Sequence, residues 1–334
     1  MRSIGVLFIW VVFSASGVVN ACNIPVFRYA LERWRPDDLE VILYFDGQLR
    51  GAEQTYGSRL EQASSATPRA NAQIIRVDVS SLDDGHHPQQ AERLAFWADF
   101  QRRTNATLPY LVVRSKPEGS RSRVHFRGTL SEAKEIDLFD SPARRELHER
   151  LVAGHSIVWI LMGAPNHPDT VAVRELAETN FETLARKIKL PEGIGLPGSE
   201  LFSDVPLVQK YSLLEIDPRD NDERFLVSML SGVRKDAFEQ GEPLLVPVYG
   251  RGRALEVIPV SEFNLRLVED LTLFLSGACS CQVKERNPGF DLLITADWDR
   301  DLFGEDGKLP DDRSDLEGQN LSPVLLQIPP GRKP

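Results

Sequence analysis

Apolar positions along the chain switch between helical and strand spacing in an order that predicts most of its elements. Val26, Phe27, Ala30, Leu31 and Trp34 share one helical face, with Asn23 expected as the cap, Pro25 suited to the first turn and Pro36 as the stop. Val41 to Phe45 is a short apolar run closed by Asp46-Gly47, the pattern of a buried strand. Tyr56 to Ala66 is weakly helical, Ile74 to Val79 a second strand, and Ala91 to Arg103 a helix with Leu94, Ala95, Trp97, Ala98 and Phe100 turned inward. Pro109 then stands directly ahead of the apolar run Tyr110 to Val113. Val124 to Phe126 can return as its hairpin partner, and Pro142 to Val152 makes a closing helix.

The same order recurs further on. Ser156 to Met162 reads as a strand, Thr170 to Ile188 as a long amphipathic helix, Tyr211 to Ile216 as a strand and Glu223 to Val233 as a helix. Pro243 leads into Leu244 to Tyr249, Arg251-Gly252 turns the chain into Ala254 to Ile258, and a helix from Ser261 to about Leu275 stops at Gly277. Pro243 thus stands where Pro109 stood.

This repeated order, with a proline ahead of the third core strand of each half, resembles the thioredoxin fold, in which that proline is cis. The expectation is an α/β chain of two tandem thioredoxin-like domains, each a central mixed sheet flanked by helices, over residues 22–153 and 154–302, with Pro109 and Pro243 as candidate cis-prolines. Active thioredoxins carry Cys-x-x-Cys just after the first central strand, where a helix N-terminus favours the thiolate. Here those turns read Asp46-Gly47-Gln48-Leu49 and Gly163-Ala164-Pro165-Asn166. The resemblance therefore implies the scaffold without its chemistry, and a fold alone assigns no function.

The chain's 334 residues exceed what one core comfortably organises, which agrees with two domains. A net charge of -10 argues against sequence-independent binding to nucleic acid and against a broad hold on anionic lipid. Residues 1–21 carry Arg2, the apolar run Ile4 to Phe13 and the small-residue spacing Val19-Asn20-Ala21, the pattern of a cleaved secretory signal. Cleavage there leaves Cys22 first. That position resembles the acceptor cysteine of bacterial lipoproteins, although Asn20 departs from the lipoprotein box, and a diacyl anchor would supply the two chains that stable attachment requires.

Only three cysteines occur: Cys22, Cys279 and Cys281. The Cys279-Ser280-Cys281 pair is a candidate redox site, because a ring closed over so short a span is strained and easily reduced. The alternatives are a structural bridge from Cys22 to one of the pair, or thiols that stay buried. A metal site has no support, since all six histidines lie between His86 and His167, far in sequence from the cysteine pair, and no cofactor motif is present. Gly250-Arg251-Gly252-Arg253 lacks the third glycine of a dinucleotide loop and reads as a hairpin turn. Asp297-Trp298-Asp299-Arg300-Asp301 begins like a calcium loop but has Leu302 and Lys308 where Gly and Glu belong, so it reads as a solvated acidic segment. Residues 303–334, rich in Asp, Gly and Pro, are expected to form a mobile tail.

Cys22-Asn23-Ile24-Pro25-Val26-Phe27-Arg28-Tyr29-Ala30-Leu31-Glu32-Arg33-Trp34, with Cys279 to Glu285 and Asn287-Pro288-Gly289, looks like a family of exported bacterial proteins to which no activity is attached. The expected function is a non-catalytic binding or assembly module of the cell envelope, periplasmic or anchored by a lipid on Cys22, with another envelope protein as partner. The alternative is a thiol-disulfide or redox-sensing protein acting through Cys279 and Cys281.

Overall fold

A computed structural model describes residues 23–81, 88–115, 123–279 and 282–305. The chain enters in extended form against the far end of the same molecule: Cys279 N–H donates to Ile24 O at 2.9 Å and Val26 N–H to Gly277 O at 3.0 Å. Helix α1 (Val26–Arg33) starts directly from this pairing, with Pro25 as its cap residue. Asn23, expected to cap it, does not. The pairing keeps residues 24 and 25 extended, and Asn23 instead donates its backbone N–H to Ser199 Oγ.

The first half continues as β1 (Leu39–Phe45), α2 (Ala52–Ser65), β2 (Arg69–Ala70), β3 (Ala72–Asp78) and α3 (Pro88–Thr104). It closes with β4 (Tyr110–Arg114), β5 (Val124–Thr129), α4 (Leu130–Lys134) and α5 (Pro142–Val152). The second half runs β6 (Ile157–Met162), α6 (Pro168–Lys187), β7 (Tyr211–Ile216), α7 (Arg224–Ser231), α8 (Lys235–Glu239) and β8 (Leu244–Tyr249). After it come β9 (Arg253–Ala254), β10 (Ile258–Pro259) and α9 (Leu265–Ser276), then a return segment bearing β11 (Phe290–Asp291), β12 (Thr295–Ala296) and α10 (Trp298–Phe303).

Two mixed sheets result, flanked by helices. The first has the order β3-β1-β4-β5, and the second runs β11-β9-β8-β6-β7 with β10 also on β8. In each, the central strand pairs in parallel with one neighbour (β1 with β3, β6 with β7) and antiparallel with the other (β4, β8). The strand run expected over Ala254 to Ile258 is broken: Leu255 N–H still reaches Pro247 O in the register of β9, and pairing with β8 resumes at β10 offset by one residue. Helix α9 begins at Leu265, later than Ser261, where Asn264 Oδ1 accepts from Leu267 N–H and caps it.

Alternation along the central strands explains why both sheets are buried on two faces. From β1, Leu39, Val41 and Leu43 enter the largest apolar cluster, while Ile42 and Tyr44 enter a separate one with Trp97 and Phe100 of α3. From β6, Val158, Ile160 and Met162 join that same largest cluster, while Ile157, Trp159 and Leu161 pack with α1, α6 and α9. One apolar core is therefore shared by one face of each sheet, and helices α5 and α7 add Leu147, Phe225 and Leu230 to it.

Residues 282–305 bind the two halves together. Thr295 and Ala296 in β12 pair with β2, and Ile294 N–H donates to Asn71 Oδ1 at 2.8 Å. Leu292, Leu293 and Ile294 are buried in the shared core. The acidic stretch expected to be solvated is engaged instead: Asp297 caps α10, Asp299 pairs with Arg251 at 2.7 Å, and Asp301 lies 3.1 Å from His148. Phe303, where the tail was expected to begin, ends α10; residues 306–334 lie outside the described residues.

Candidate functional site

Neither of the turns after β1 and β6 carries a thiol. After β1, Gly47 sits at φ 63 and its N–H donates to Asp78 Oδ1, while Leu49 packs into the shared core. After β6, a Cβ on Gly163 would stand 2.5 Å from Thr170 Oγ1 and 2.9 Å from the Pro243 ring, so position 163 itself has no space for a side chain. His167 Nδ1 caps the helix that follows by accepting from Asp169 N–H.

The two prolines occupy matching places with different isomers. Leu108–Pro109 is cis; Pro243 follows a trans bond, a correction to the expectation of two cis-prolines. An X-Pro bond stays trans unless its surroundings select the other form. Pro243 is approached from α8 through Gly241 at φ 78 and lies against Gly163, which accommodates the default isomer. Each proline carbonyl accepts from the residue that opens the next segment, Pro109 O from Leu130 N–H at 3.1 Å and Pro243 O from Val260 N–H at 3.0 Å.

Cys279 is 1% exposed and packs in the cluster that joins α1, α6 and α9. Cys22 and Cys281 lie outside the described residues, as do His86 and His87. Among the described residues there is no group of three or more His, Cys, Asp or Glu side chains placed to hold a metal ion, and no helix long and apolar enough to cross a membrane.

A cleft lies where the first sheet, the β8–β9 hairpin and the return segment meet. It has a volume of about 970 Å³. One wall is a buried ion cluster. Lys284 Nζ donates to Arg35 O and to Asp291, and stands 2.9 Å from Asp37 Oδ1. Arg253 meets Asp291 Oδ1 at 3.1 Å and donates to Asn287 O and Pro288 O, and Asp37 N–H donates to Asp291 Oδ2. Burial pushes the Asp291 carboxyl up, while Lys284 and Arg253 pull it down. The opposing contribution comes from β5, where His125 lines the cleft at 5% exposure with Nδ1 lacking a hydrogen-bond partner. Burial, aided by Arg123, lowers this imidazole to about 4, so it is neutral at neutral pH.

None of these cleft residues forms a local motif. Asp38, His125, Arg253 and Glu285 come from four separate segments. Their one sequence signal is Arg253, in the Gly250–Arg253 stretch read as a hairpin turn, and it is indeed a turn, with Gly250 at φ 59 and Gly252 at φ 85. Arg251 in that turn donates to Leu31 O and Glu32 O, satisfying carbonyls at the end of α1. Compared with known proteins, the chain matches no family model and no curated protein.

Proposed function

We propose that the chain is an exported, non-catalytic binding or assembly module of the bacterial cell envelope, built from two tandem thioredoxin-like domains. The common strand order of the two sheets, each with one parallel and one antiparallel neighbour on its central strand, supports the fold reading. So does the proline ahead of β4 and of β8.

The observation that carries the functional reading is the packing of Gly163. Thioredoxin-type exchange needs an accessible thiolate at the start of the helix after the first central strand. In the second half a Cβ at that turn collides with Thr170 and Pro243, and in the first half the turn holds Asp46 to Leu49. A scaffold without its nucleophile retains surfaces and clefts, and the large cleft here lies away from both turns.

The redox reading through Cys279 and Cys281 is the weaker one. Cys279 is buried, which raises the barrier to attack on an external disulfide, and its N–H is held by Ile24 O, two residues from Cys22. That pairing favours a structural use of the cysteines at the chain's entry. The partner on this reading is another envelope protein, and membrane attachment, if any, is through a lipid on Cys22.

Fractionation of cells expressing the full chain, followed by intact-mass measurement, tests the export part. The expected result is an envelope or periplasmic protein whose mass corresponds to a start at Cys22, with or without a diacyl addition. A cytoplasmic protein retaining residues 1–21 would contradict it.

A further inference from the structure

The entry of the chain and the segment after α9 are joined by an antiparallel pairing whose register is fixed. Pro25 stands opposite Ala278, bracketed by Val26 N–H to Gly277 O at 3.0 Å and Cys279 N–H to Ile24 O at 2.9 Å. Partners in such a ladder alternate between pairs that exchange hydrogen bonds and pairs whose N–H groups turn outward. Pro25, which has no N–H, occupies an outward position. Asn23 is the next outward position, and its N–H does leave the pairing, donating to Ser199 Oγ at 2.9 Å. Ile24 faces Cys279, so the same register carried two residues further matches Cys22 to Cys281 as a hydrogen-bonded pair. Just past that position Gln282 O accepts from Trp34 Nε1 at 2.9 Å, so the chain on both sides of Cys281 is tied to the N-terminal segment.

The register separates the three bonds that the cysteines could make. Residues opposite one another in a hydrogen-bonded pair have Cα atoms about 5.5 Å apart and side chains on the same side, within the roughly 4.4–6.8 Å that a disulfide spans. Cys22 and Cys279 are diagonal neighbours in this register, about 7–8 Å apart. Cys279 and Cys281 lie two residues apart on one segment, about 6.8 Å where it is extended. Bending Cys279 toward Cys281 would break its bond to Ile24 O and pull its side chain, 1% exposed, out of the apolar cluster around α1 and α9.

We infer that Cys22 and Cys281 form a disulfide that clasps the start of the exported chain to the segment after α9, with Cys279 outside the bond. The oxidant is a small-molecule or protein disulfide of the kind exported proteins meet. A thiolate of the pair attacks it and forms a mixed disulfide, and the second thiolate displaces the oxidant's remaining sulfur. One Cys22–Cys281 bond forms, the oxidant's bond breaks, and its two thiols carry away the two electrons and two protons. A diacyl group would occupy the same sulfur of Cys22, so the bond and the lipid exclude each other. The inference rests on the export reading and fixes the use of Cys22 within it.

Peptide mapping tests it. The full chain, expressed with residues 1–21 and recovered from the envelope fraction, is alkylated in denaturant without reductant and cut with trypsin, which places Cys22 in residues 22–28 and the other two cysteines in residues 267–284. The expected result is one species linking these two peptides within a monomer, carrying a single alkyl group that fragmentation puts on Cys279, and lost on reduction. Cys279→Ser should keep the link and Cys281→Ser should abolish it; should Cys281→Ser fail to fold, fragmentation of the wild-type species still decides. Cys22 found acylated or alkylated, a link from Cys22 to Cys279, a Cys279–Cys281 link, or a link between two chains would each overturn the inference. An exported protein with Cys22 unlinked contradicts this inference alone. A cytoplasmic one contradicts the export reading, and the same mapping after equilibration of the purified chain with oxidised glutathione then judges the pairing.

Discussion

Arg253 donates to Asp291 at 3.1 Å with both side chains buried, tying the β8–β9 hairpin to the segment that returns across both sheets. The carboxylate is also held by Lys284 and by Asp37 N–H, so the two substitutions are not equivalent. Arg253→Met leaves Asp291 one cation and should lower stability by about 3 kcal/mol, whereas Asp291→Asn strands both Arg253 and Lys284 and should cost more. Urea denaturation of the two variants checks the order; equal or reversed losses would show that Asp291 is not the centre of this cluster.

The Gly250 turn packs against α1. A Cβ at Gly250 would lie 2.7 Å from Ala30 Cβ and 3.2 Å from its carbonyl carbon, with φ at 59. Gly241 has a similar backbone, φ 78, but open space around it. Gly241→Ala should therefore cost only the backbone conformation, about 1 kcal/mol. Gly250→Ala adds a collision with a helix backbone and should cost about 3 kcal/mol. Thermal or urea unfolding of the pair measures the difference, and equal effects would mean that α1 yields.

Arg144 is 1% exposed and donates to the carbonyls of Leu138, Leu293, Asp137 and Asp140, joining α5 to the return segment. Burial lowers its guanidinium to about 10, still well above neutral pH. Arg144→Met keeps much of the volume but leaves these carbonyls without their donors, with an expected loss of about 4 kcal/mol. A loss below about 1 kcal/mol, typical of an exposed pair, would contradict this role.

These cases mark what the sequence makes legible. Strands β1, β6 and β8 are apolar runs because both faces of each sheet are covered, and they stand out without any knowledge of partners. The order of elements followed from the same signal. The return segment did not, because β11 and β12 have two residues each, too few for a period, and Leu292 to Ile294 finds its place only through Asn71, Arg144 and the turn at Gly252, all distant in sequence. Asp299 looked solvated since its partner, Arg251, is 48 positions away. The cleft was illegible for the same reason, being assembled from segments that share no spacing.

His125 makes stability depend on pH. Its imidazole titrates at about 4 in the folded chain and near 6.5 when unfolded, so between these values the unfolded state binds more protons. Stability should fall as pH drops from 6.5 toward 4, and this residue's share of the loss is about 3 kcal/mol across the window. Burial shifts His148 and His155 in the same direction, so the wild-type curve sums several groups. Comparing it with His125→Phe isolates one: the variant should lose less stability over the window, and an identical slope would show that His125 is not buried in its neutral form.

The proposed function has the chain keep a thioredoxin-like scaffold without its exchange chemistry. The most direct measurement is alkylation and mass spectrometry of the mature protein after equilibration in glutathione buffers from reducing to oxidising, together with its turnover of a disulfide substrate. The account predicts no turnover and no Cys279–Cys281 bond that forms and breaks across the series. A bond between those two residues that cycles with the buffer and reduces substrate would contradict it.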